Sequence, residues 1–555
     1  MASASAAPPA PEAGAAVPAL GWGACPESWS RAGVDAGAFT CATAAVPLDH
    51  DDPTGPTIDL ALKKLPAGDP ERRLGTLFLN PGGPGGSGVT FVDSAQGAFD
   101  AEVLERFDVV GMDPRGVARS TPLTCFPSLE AGLDALGDLP AFPVTTREVV
   151  RFDAGHREYT DACAASVGSD PVIEHMTTAD VARDLDLLRQ AVGDDGLTYA
   201  GYSYGTHLGD VYANLFPGRV RAVLIDAVIE PVAWTTGASP REARTETTSL
   251  RLRTGEGAYG TLLALFDECT AAGPERCDLA GEAESPSEQY DRLADALLAR
   301  PLQLPDGEGG TLTTTYADLV STSLGGLYSP SAYPALASYV DALLDAVDAR
   351  GPARASTAVA ARDALARLEA RLPEREDEPV QLREGTDGVL CTDSDNPLRQ
   401  RLWRDSAAQA DREGPYFGAA WVWGELPCAT WPVRPEGTSR YTGPWDATTS
   451  SPVLVVGTRY DPATPYWDAV TVSEQLPGSR LLTLDGWGHT AIGESACVDA
   501  AVARYLVDVE LPAEGTVCQP DRRPFDPIPM TLAAAAPDAR ADVVAAALPA
   551  TVAGR

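Results

Sequence analysis

The feature that most constrains this chain is a serine flanked by glycines, placed between a strand-like run and a helix-like run. The apolar run Thr198–Ala200 leads directly into Gly201–Gly205, whose sequence is GYSYG. This spacing predicts a sharp strand-to-helix turn that lifts the hydroxyl of Ser203 clear of a sheet, because small flanking residues avoid a collision across the turn. The positive end of the following helix would favour negative charge near this hydroxyl. The stretch therefore predicts a nucleophile.

Apolar runs of strand length recur along the chain and alternate with helix-like segments. Further strands are predicted over Phe39–Leu48, Thr57–Leu65, Leu74–Asn80, Phe107–Met112, Val220–Asp226, Pro452–Gly457 and Arg480–Leu484. The first two are predicted to form an antiparallel pair across a turn. The later runs indicate a mostly parallel α/β sheet that is covered by helices on both faces.

A change of pattern after about residue 231 divides the chain. Helices are predicted there over Tyr259–Thr270, Ser287–Arg300, Pro334–Ala349 and Ala353–Leu372, with few strand runs. We therefore expect a disordered leader (1–22), a sheet domain in two parts (23–231 and 441–520), a helical cap inserted between them (232–440), and a Pro/Ala-rich tail (521–555). The leader has no charged region followed by an apolar core, so it is not an intact export signal. The tail is expected to be weakly ordered or to form one peripheral helix.

Charge and hydropathy exclude several classes of partner. The 555 residues carry a formal net charge of −37, which argues against nucleic acid or an anionic membrane as a ligand. No stretch approaches the ~18–20 uninterrupted apolar residues of a membrane span. An acidic surface could still attract cationic ligands, such as the amino terminus of a peptide.

The cysteines favour an oxidising compartment. There are ten cysteines without a C-x-x-C pair and only five histidines, so a zinc site is not predicted. An even number at medium spacings is typical of disulfides in an exported protein. Sequence alone does not fix connectivity, and the simplest pairing is sequential: Cys25–Cys41, Cys125–Cys163, Cys269–Cys277, Cys391–Cys428 and Cys497–Cys518.

A serine nucleophile needs a histidine to take its proton and a carboxylate to orient that histidine. His489 lies directly after the last apolar strand, and Asp461 lies just beyond the strand before it. The order Ser203…Asp461…His489 is that of an α/β-hydrolase. Asp485 is the alternative carboxylate, but its place within the strand end makes an approach to the imidazole awkward. The other histidines lie in an early turn, upstream of the serine, or on the helix that follows it: His50, His156, His175 and His207.

Two loops that follow predicted strands contain further candidate functional residues. Residues 81–88, PGGPGGSG, lack the lysine of a phosphate-binding loop and suit an oxyanion donor. Asp113, at the end of another strand, is predicted to pair with Arg115 or Arg119 and to hold its loop.

Together the motifs NPGGPGGSG, DPRG…RS, GYSYGT, D-x-x-T-P and G-x-GHT resemble those of secreted actinobacterial tripeptidyl aminopeptidases. These are α/β-hydrolases related to proline iminopeptidases, with a characteristic C-terminal region. The resemblance extends from about Cys25 to Cys518. It implies that Ser203 is the nucleophile, His489 the general base and acid, and Asp461 the orienting partner.

The resemblance also implies the oxyanion donors. These are the backbone N–H groups of Tyr204 and Gly83, with Gly82 the alternative in the glycine-rich loop. Two positions depart from the family: His207 stands where an aromatic residue is expected, and Ala118 where glycine is usual. Neither residue touches the chemistry described above.

The function implied is an exported serine hydrolase, secreted or at the cell surface, that removes short peptides from free N-termini without a metal or organic cofactor. Carboxylates of the cap, among them Glu230, Glu242 and Glu246, would bind the ammonium group, and no motif selects among them. A monomer is expected. An esterase or small-molecule amide hydrolase with the same triad is the alternative function. A catalytically inactive binding protein on the same fold is a third interpretation, which the intact triad opposes.

Overall fold

A computed structural model describes residues 15–31, 34–137, 139–305, 310–349, 353–371 and 381–527. Residues 1–14 of the predicted leader and 528–555 of the predicted tail lie outside the described residues. At the end of the leader, Leu20 and Trp22 pack against the core. The Nζ of Lys64 lies 4.3 Å from the centroid of the Trp22 ring. This segment therefore lies against the sheet domain.

Most strands of the described residues belong to one sheet. The strands are β1 (Gly23–Ala24), β2 (Thr40–Pro47), β3 (Thr57–Leu65), β4 (Gly75–Asn80), β5 (Phe107–Met112), β6 (Leu197–Tyr202), β7 (Val220–Asp226), β8 (Leu302–Pro305), β9 (Thr311–Thr314), β10 (Leu454–Tyr460), β11 (Arg480–Trp487) and β12 (Val517–Cys518). The sheet has the order β1-β2-β3-β5-β4-β6-β7-β10-β11-β12, and β8 pairs with β9 in a separate hairpin.

The α-helices of the described residues are α1 (Gly88–Phe91), α2 (Ala95–Ala98), α3 (Ala101–Arg106), α4 (Leu129–Leu136), α5 (Thr146–Ser166), α6 (Thr178–Ala191), α7 (Tyr204–Leu215), α8 (Pro231–Thr235), α9 (Glu242–Thr245), α10 (Thr248–Leu252), α11 (Thr254–Ala272), α12 (Pro286–Ala299), α13 (Tyr316–Leu327), α14 (Tyr333–Asp348), α15 (Ala353–Glu369), α16 (Glu384–Asp393), α17 (Gln400–Glu413), α18 (Phe417–Gly424), α19 (Tyr466–Gln475) and α20 (Ala496–Asp508). The four long helices predicted after residue 231 correspond to α11, α12, α14 and α15.

The predicted mostly parallel sheet is confirmed. Along the sheet, the strands in the order β5-β4-β6-β7-β10-β11-β12 pair in parallel, whereas β2 and β3 form the predicted antiparallel pair. Side chains alternate between two buried clusters, as a sheet covered on both faces requires. In β4, for example, Phe78 belongs to one cluster and Leu77 and Leu79 to the other.

Two strands run further than the sequence predicted. β10 ends at Tyr460 and β11 at Trp487, each three residues beyond the predicted end. The two residues are paired in the parallel ladder. The extension places Asp461 and His489 at the carboxyl edge of the sheet, next to the ends of their strands.

The helices α8–α18, together with the β8–β9 hairpin, lie between β7 and β10 along the chain, and we call this stretch the helical insertion. The two strands nevertheless pair directly, with Asp226 opposite Val456. The insertion therefore leaves the sheet and returns to its neighbouring strand. The division at residues 232 and 440 stays a prediction.

The sequential disulfide pairing is confirmed for all ten cysteines. The structure contains Cys25–Cys41, Cys125–Cys163, Cys269–Cys277, Cys391–Cys428 and Cys497–Cys518. Among the described residues, no helix has both the length and the apolar character that a membrane crossing requires.

Candidate active site

Ser203 lies in the turn between β6 and α7, in a backbone conformation that side-chain-bearing residues seldom adopt. Its φ is 54° and its ψ is −126°. A Cβ atom at Gly201 would lie 2.3 Å from the carbonyl oxygen of Gly205, so a side chain there would collide across the turn. The hydroxyl of Thr206 donates to the Ser203 carbonyl at 2.6 Å. Gly201 thus permits the strained turn, and the Thr206 hydroxyl stabilises it.

The glycine-rich loop runs directly against this serine. A Cβ atom at Gly82, whose φ is 95°, would lie 2.8 Å from the Cβ of Ser203 and 2.9 Å from the backbone nitrogen of Tyr204. The Gly82 N–H donates to Oδ1 of Asn80 at 2.9 Å. One of the two loop N–H groups considered from the sequence is therefore already engaged by a side chain.

The helical insertion holds the same loop from its other side. The hydroxyl of Thr386, on α16, donates to the carbonyl oxygen of Pro84 at 2.8 Å. A Cβ atom at Gly85 would lie 2.8 Å from the same hydroxyl oxygen. Close contact between loop and insertion therefore depends on glycine at this position, whose φ is 96°.

Asp461 and His489, predicted from separate strand ends, are in direct contact. Nδ1 of His489 lies 2.9 Å and 3.0 Å from the two carboxylate oxygens of Asp461, and both side chains are completely buried. The same carboxylate accepts the backbone N–H groups of Ala463 and Thr464, at 2.8 Å and 2.9 Å, and the Thr464 hydroxyl at 3.1 Å. The carboxylate is thus fixed in place by several donors.

This contact determines which nitrogen of His489 is available for chemistry. An ionised carboxylate only accepts hydrogen bonds, so Nδ1 carries the proton and Nε2 of the neutral ring keeps its lone pair. Within the described ranges, Nε2 of His489 is buried and has no hydrogen-bond partner. Such an atom can accept a proton from a nearby hydroxyl.

Asp226, at the end of β7, connects the turn that carries Ser203 to the loop after β11 that carries His489, which we call the histidine loop. Its backbone carbonyl accepts the Ser203 N–H at 3.0 Å. Its carboxylate accepts the N–H groups of Ala491 and Ile492, at 3.0–3.2 Å. Sequence reasoning missed this residue. The available signal was an aspartate that ends the otherwise apolar strand VRAVLID.

Two other carboxylates considered from the sequence form ion pairs with arginines. Asp485, the alternative partner for His489, has a side chain 43% exposed and pairs with Arg459 at 3.2 Å. Asp113 pairs with Arg119 at 3.5 Å, and it also accepts the hydroxyl of Ser87. Of the two predicted partners of Asp113, Arg115 instead pairs with a different aspartate.

The three cap carboxylates named from the sequence lie in three different surroundings. Glu230 accepts the N–H groups at the start of α8, and Glu242 accepts the N–H of Ala238 at 2.9 Å. Burial and the nearby charge of Glu242 raise the pKa of Glu246, which is half-buried. The geometry does not single out one of them as an ammonium ligand.

Two stretches of the chain match known protein families. Residues 75–245 match the family described as alpha/beta hydrolase fold, and residues 414–518 match the family described as TAP-like protein. Serine protease Hip1 of Mycobacterium tuberculosis is 34% identical over 514 residues, which cover 90% of each chain.

Two further relatives are similar over most of their length. Tripeptidyl aminopeptidase of Streptomyces lividans is 31% identical over 518 residues, covering 91% of this chain and 87% of that protein. Carboxylesterase B of Mycobacterium tuberculosis is 32% identical over 486 residues, covering 86% of each. The similarity therefore includes both parts of the sheet domain and the helical insertion.

Proposed function

Because this chain belongs to the α/β-hydrolase family and carries a TAP-like region, we propose that it is a serine peptidase that releases short peptides, tripeptides in particular, from free N-termini. Relatives named serine protease and tripeptidyl aminopeptidase, each similar over most of this chain, support the peptide substrate. The observation that carries the chemistry is the buried His489, with Nδ1 on Asp461 and Nε2 without a partner in the described part of the chain.

In the proposed mechanism, the hydroxyl oxygen of Ser203 attacks the scissile carbonyl while Nε2 of His489 takes the hydroxyl proton. Asp461 accepts the hydrogen bond from Nδ1 and stabilises the imidazolium that forms. The imidazolium then gives its Nε2 proton to the leaving amine, which leaves an ester on Ser203. Water, deprotonated by the same nitrogen, hydrolyses this acyl-enzyme and restores the serine. No metal or organic cofactor takes part in these steps.

The backbone N–H groups of Tyr204 and Gly83 are the proposed oxyanion donors. Tyr204 is the first residue of α7, where an N–H has no partner within its own helix. The donor role of Gly83 is supported by the engagement of the Gly82 N–H with Asn80. The N-terminal end of α7 adds a favourable potential for the negative charge of the tetrahedral intermediate.

We further propose that the protein acts outside the cytoplasm, secreted or at the cell surface, as a monomer whose partner is a peptide with a free amino terminus. Five disulfides that together use all ten cysteines support an oxidising compartment. The helical insertion would restrict access to chain ends, and its carboxylates would bind the substrate ammonium group.

A second candidate function is ester or small-molecule amide hydrolysis by the same residues. The similarity to a relative named carboxylesterase B, 32% identical over 486 residues, supports this second candidate function. The same nucleophile serves several leaving groups, so the two functions differ in the binding site and not in the chemistry.

A panel of substrates separates these functions. Aminoacyl- and tripeptidyl-arylamides with free and blocked amino ends would be assayed beside short-chain aryl esters. We expect a strict need for the free amino end and fastest release of tripeptides. Equal cleavage of the blocked compounds, or a preference for the esters, would contradict the peptidase proposal.

The control for the panel is Ser203→Ala. This variant should lose turnover by about 10³-fold or more while substrate binding and folding are retained, because only the attacking hydroxyl is removed. A loss of less than about tenfold would reject Ser203 as the nucleophile, whichever substrate is preferred.

A further inference from the structure

Tyr328, a residue of the helical insertion, touches His489 through its backbone. It follows α13 directly and is completely buried. Its carbonyl oxygen accepts the backbone N–H of His489 at 2.9 Å. This hydrogen bond joins the insertion to the loop that presents the imidazole.

The side chain of Tyr328 makes a second contact with the same histidine. The centroids of the two rings are 5.1 Å apart, and their planes meet at 63° in an edge-to-face arrangement. Two contacts from one residue, one to the backbone and one to the ring, restrict both the path of the loop and the rotation of the imidazole. Burial and the nearby charge of Asp461 raise the pKa of Tyr328, so its side chain contributes shape and polarity without a charge.

The histidine loop needs such support because its own backbone is strained. The residues on either side of His489 both have positive φ, 89° for Gly488 and 72° for Thr490. A β-branched residue in this region persists only where its surroundings impose the conformation. The surroundings here are Asp226 on the sheet side and Tyr328 on the insertion side.

We infer that Tyr328 is a positioning residue that holds the imidazole of His489 in line with Asp461, so that the helical insertion supports the chemical step as well as covering the site. The inference rests on the proposed function, in which Nε2 exchanges a proton with Ser203 and with the leaving amine. A shift of about 1 Å in such a group can cost about 10²-fold in rate. Loss of the ring should therefore lower kcat and leave KM nearly unchanged.

The test compares Tyr328→Leu and Tyr328→Phe with a matched control. Tyr290 is equally buried within the insertion, and its hydroxyl donates to Ser323 at 3.0 Å, while its ring contacts Phe266 and Tyr416. Tyr290→Leu therefore removes a similar side chain without a contact to His489. For each variant, kcat and KM on an arylamide, the rate of Ser203 modification by a fluorophosphonate, and Tm would be measured.

We expect Tyr328→Leu to lower kcat and the modification rate about 10- to 100-fold with KM within about twofold. Tyr328→Phe, which keeps the ring, should stay within about threefold of the wild type. Tyr290→Leu should lower Tm about as much as Tyr328→Leu does, while its kcat stays at the wild-type value. If Tyr328→Leu does not fold, Tyr328→Met, whose flexible side chain adapts to an irregular gap without a ring, takes its place.

Two results would overturn the inference: wild-type kcat in the variants that lack the ring, or an equal loss of kcat in Tyr290→Leu at equal loss of Tm. Failure of the proposed Ser203 chemistry, on which the inference rests, gives a different result. In that case the fluorophosphonate would leave Ser203 of the wild-type protein unmodified, and no comparison among the tyrosine variants would be needed to see it.

Discussion

His207 and His489 are both buried, 1% and 0% exposed, yet their surroundings are opposite. The ring of His207 lies among Tyr204, Trp234 and Trp445, with centroid distances of 5.6–6.3 Å. Burial without a carboxylate lowers the pKa of His207 to about 3. The ring of His489 instead donates from Nδ1 to Asp461. Burial alone thus keeps the His207 imidazole neutral, whereas Asp461 engages Nδ1 of His489 and Nε2 has no hydrogen-bond partner among the described residues.

Distance along the chain is a poor guide to which of the two could act on the serine. His207 lies one helical turn after Ser203, but it rides on α7 and packs against aromatic rings. His489 lies far along the chain, and its loop is tied to the serine turn through Asp226. In the proposed mechanism the base therefore comes from a strand end and not from the helix that follows Ser203.

The largest effect is expected from Asp461→Asn. An amide in place of the carboxylate would favour the wrong tautomer of His489 and would not stabilise the imidazolium, so kcat/KM should fall about 10⁴-fold. Asp485→Asn, at the exposed carboxylate paired with Arg459, is the matched control and should change activity less than about twofold. A loss below tenfold in Asp461→Asn, measured by steady-state kinetics on an arylamide, would remove the distinction between the two histidines.

The next largest effect concerns stability, through His207→Phe. The pKa of His207 is lowered in the folded protein from 6.5 to about 3, so between these values the unfolded chain binds a proton that the folded protein does not. Its contribution to stability is complete above about pH 6.5 and is lost as the pH falls towards 3. Removing the imidazole should therefore reduce the loss of unfolding free energy between pH 7 and pH 4 by about 3 kcal/mol.

Urea unfolding at the two pH values measures this difference, and kcat of the same variant should stay within about threefold of the wild type. An unchanged acid dependence would show that His207 is protonated normally in the folded state. A large loss of kcat would show that the aromatic pocket takes part in the chemistry.

The smallest expected effect comes from Thr464→Val, which keeps the shape of the side chain. It removes the hydroxyl that donates to Asp461 at 3.1 Å and leaves the backbone N–H bond of the same residue in place. One lost hydrogen bond of about 1 kcal/mol corresponds to a decrease of kcat of about fivefold. A decrease as large as that of Asp461→Asn would mean that this hydroxyl, and not the carboxylate, decides the state of His489.

Local patterns predicted the sheet because the strands are continuous apolar runs. β3, β5 and β7 begin and end as predicted. The sequence predicts that β10 stops at Gly457, where the apolar run PVLVVG ends. The ladder continues to Tyr460 because backbone pairing does not require apolar side chains.

The parts that sequence could not provide depend on contacts between distant residues. The carboxylate of Asp226 meets N–H groups 265 and 266 residues away, and the carbonyl of Tyr328 meets His489 from within the helical insertion. The engagement of Gly82 with Asn80 depends on the orientation of one side-chain amide. No local pattern reports such contacts, so the engagement of the Gly82 N–H and the contacts that hold the loop of His489 follow only from the folded chain.

In the proposed chemistry, one hydroxyl, one imidazole and two backbone donors act together on a carbonyl. An experimental structure of the adduct with a fluorophosphonate tests it directly. We predict phosphorus bonded to Oγ of Ser203, a phosphoryl oxygen about 3 Å from the N–H groups of Tyr204 and Gly83, and Nε2 of His489 within hydrogen-bonding reach of the Ser203 oxygen. An adduct on another residue, or an imidazole turned away from Ser203, would contradict the account.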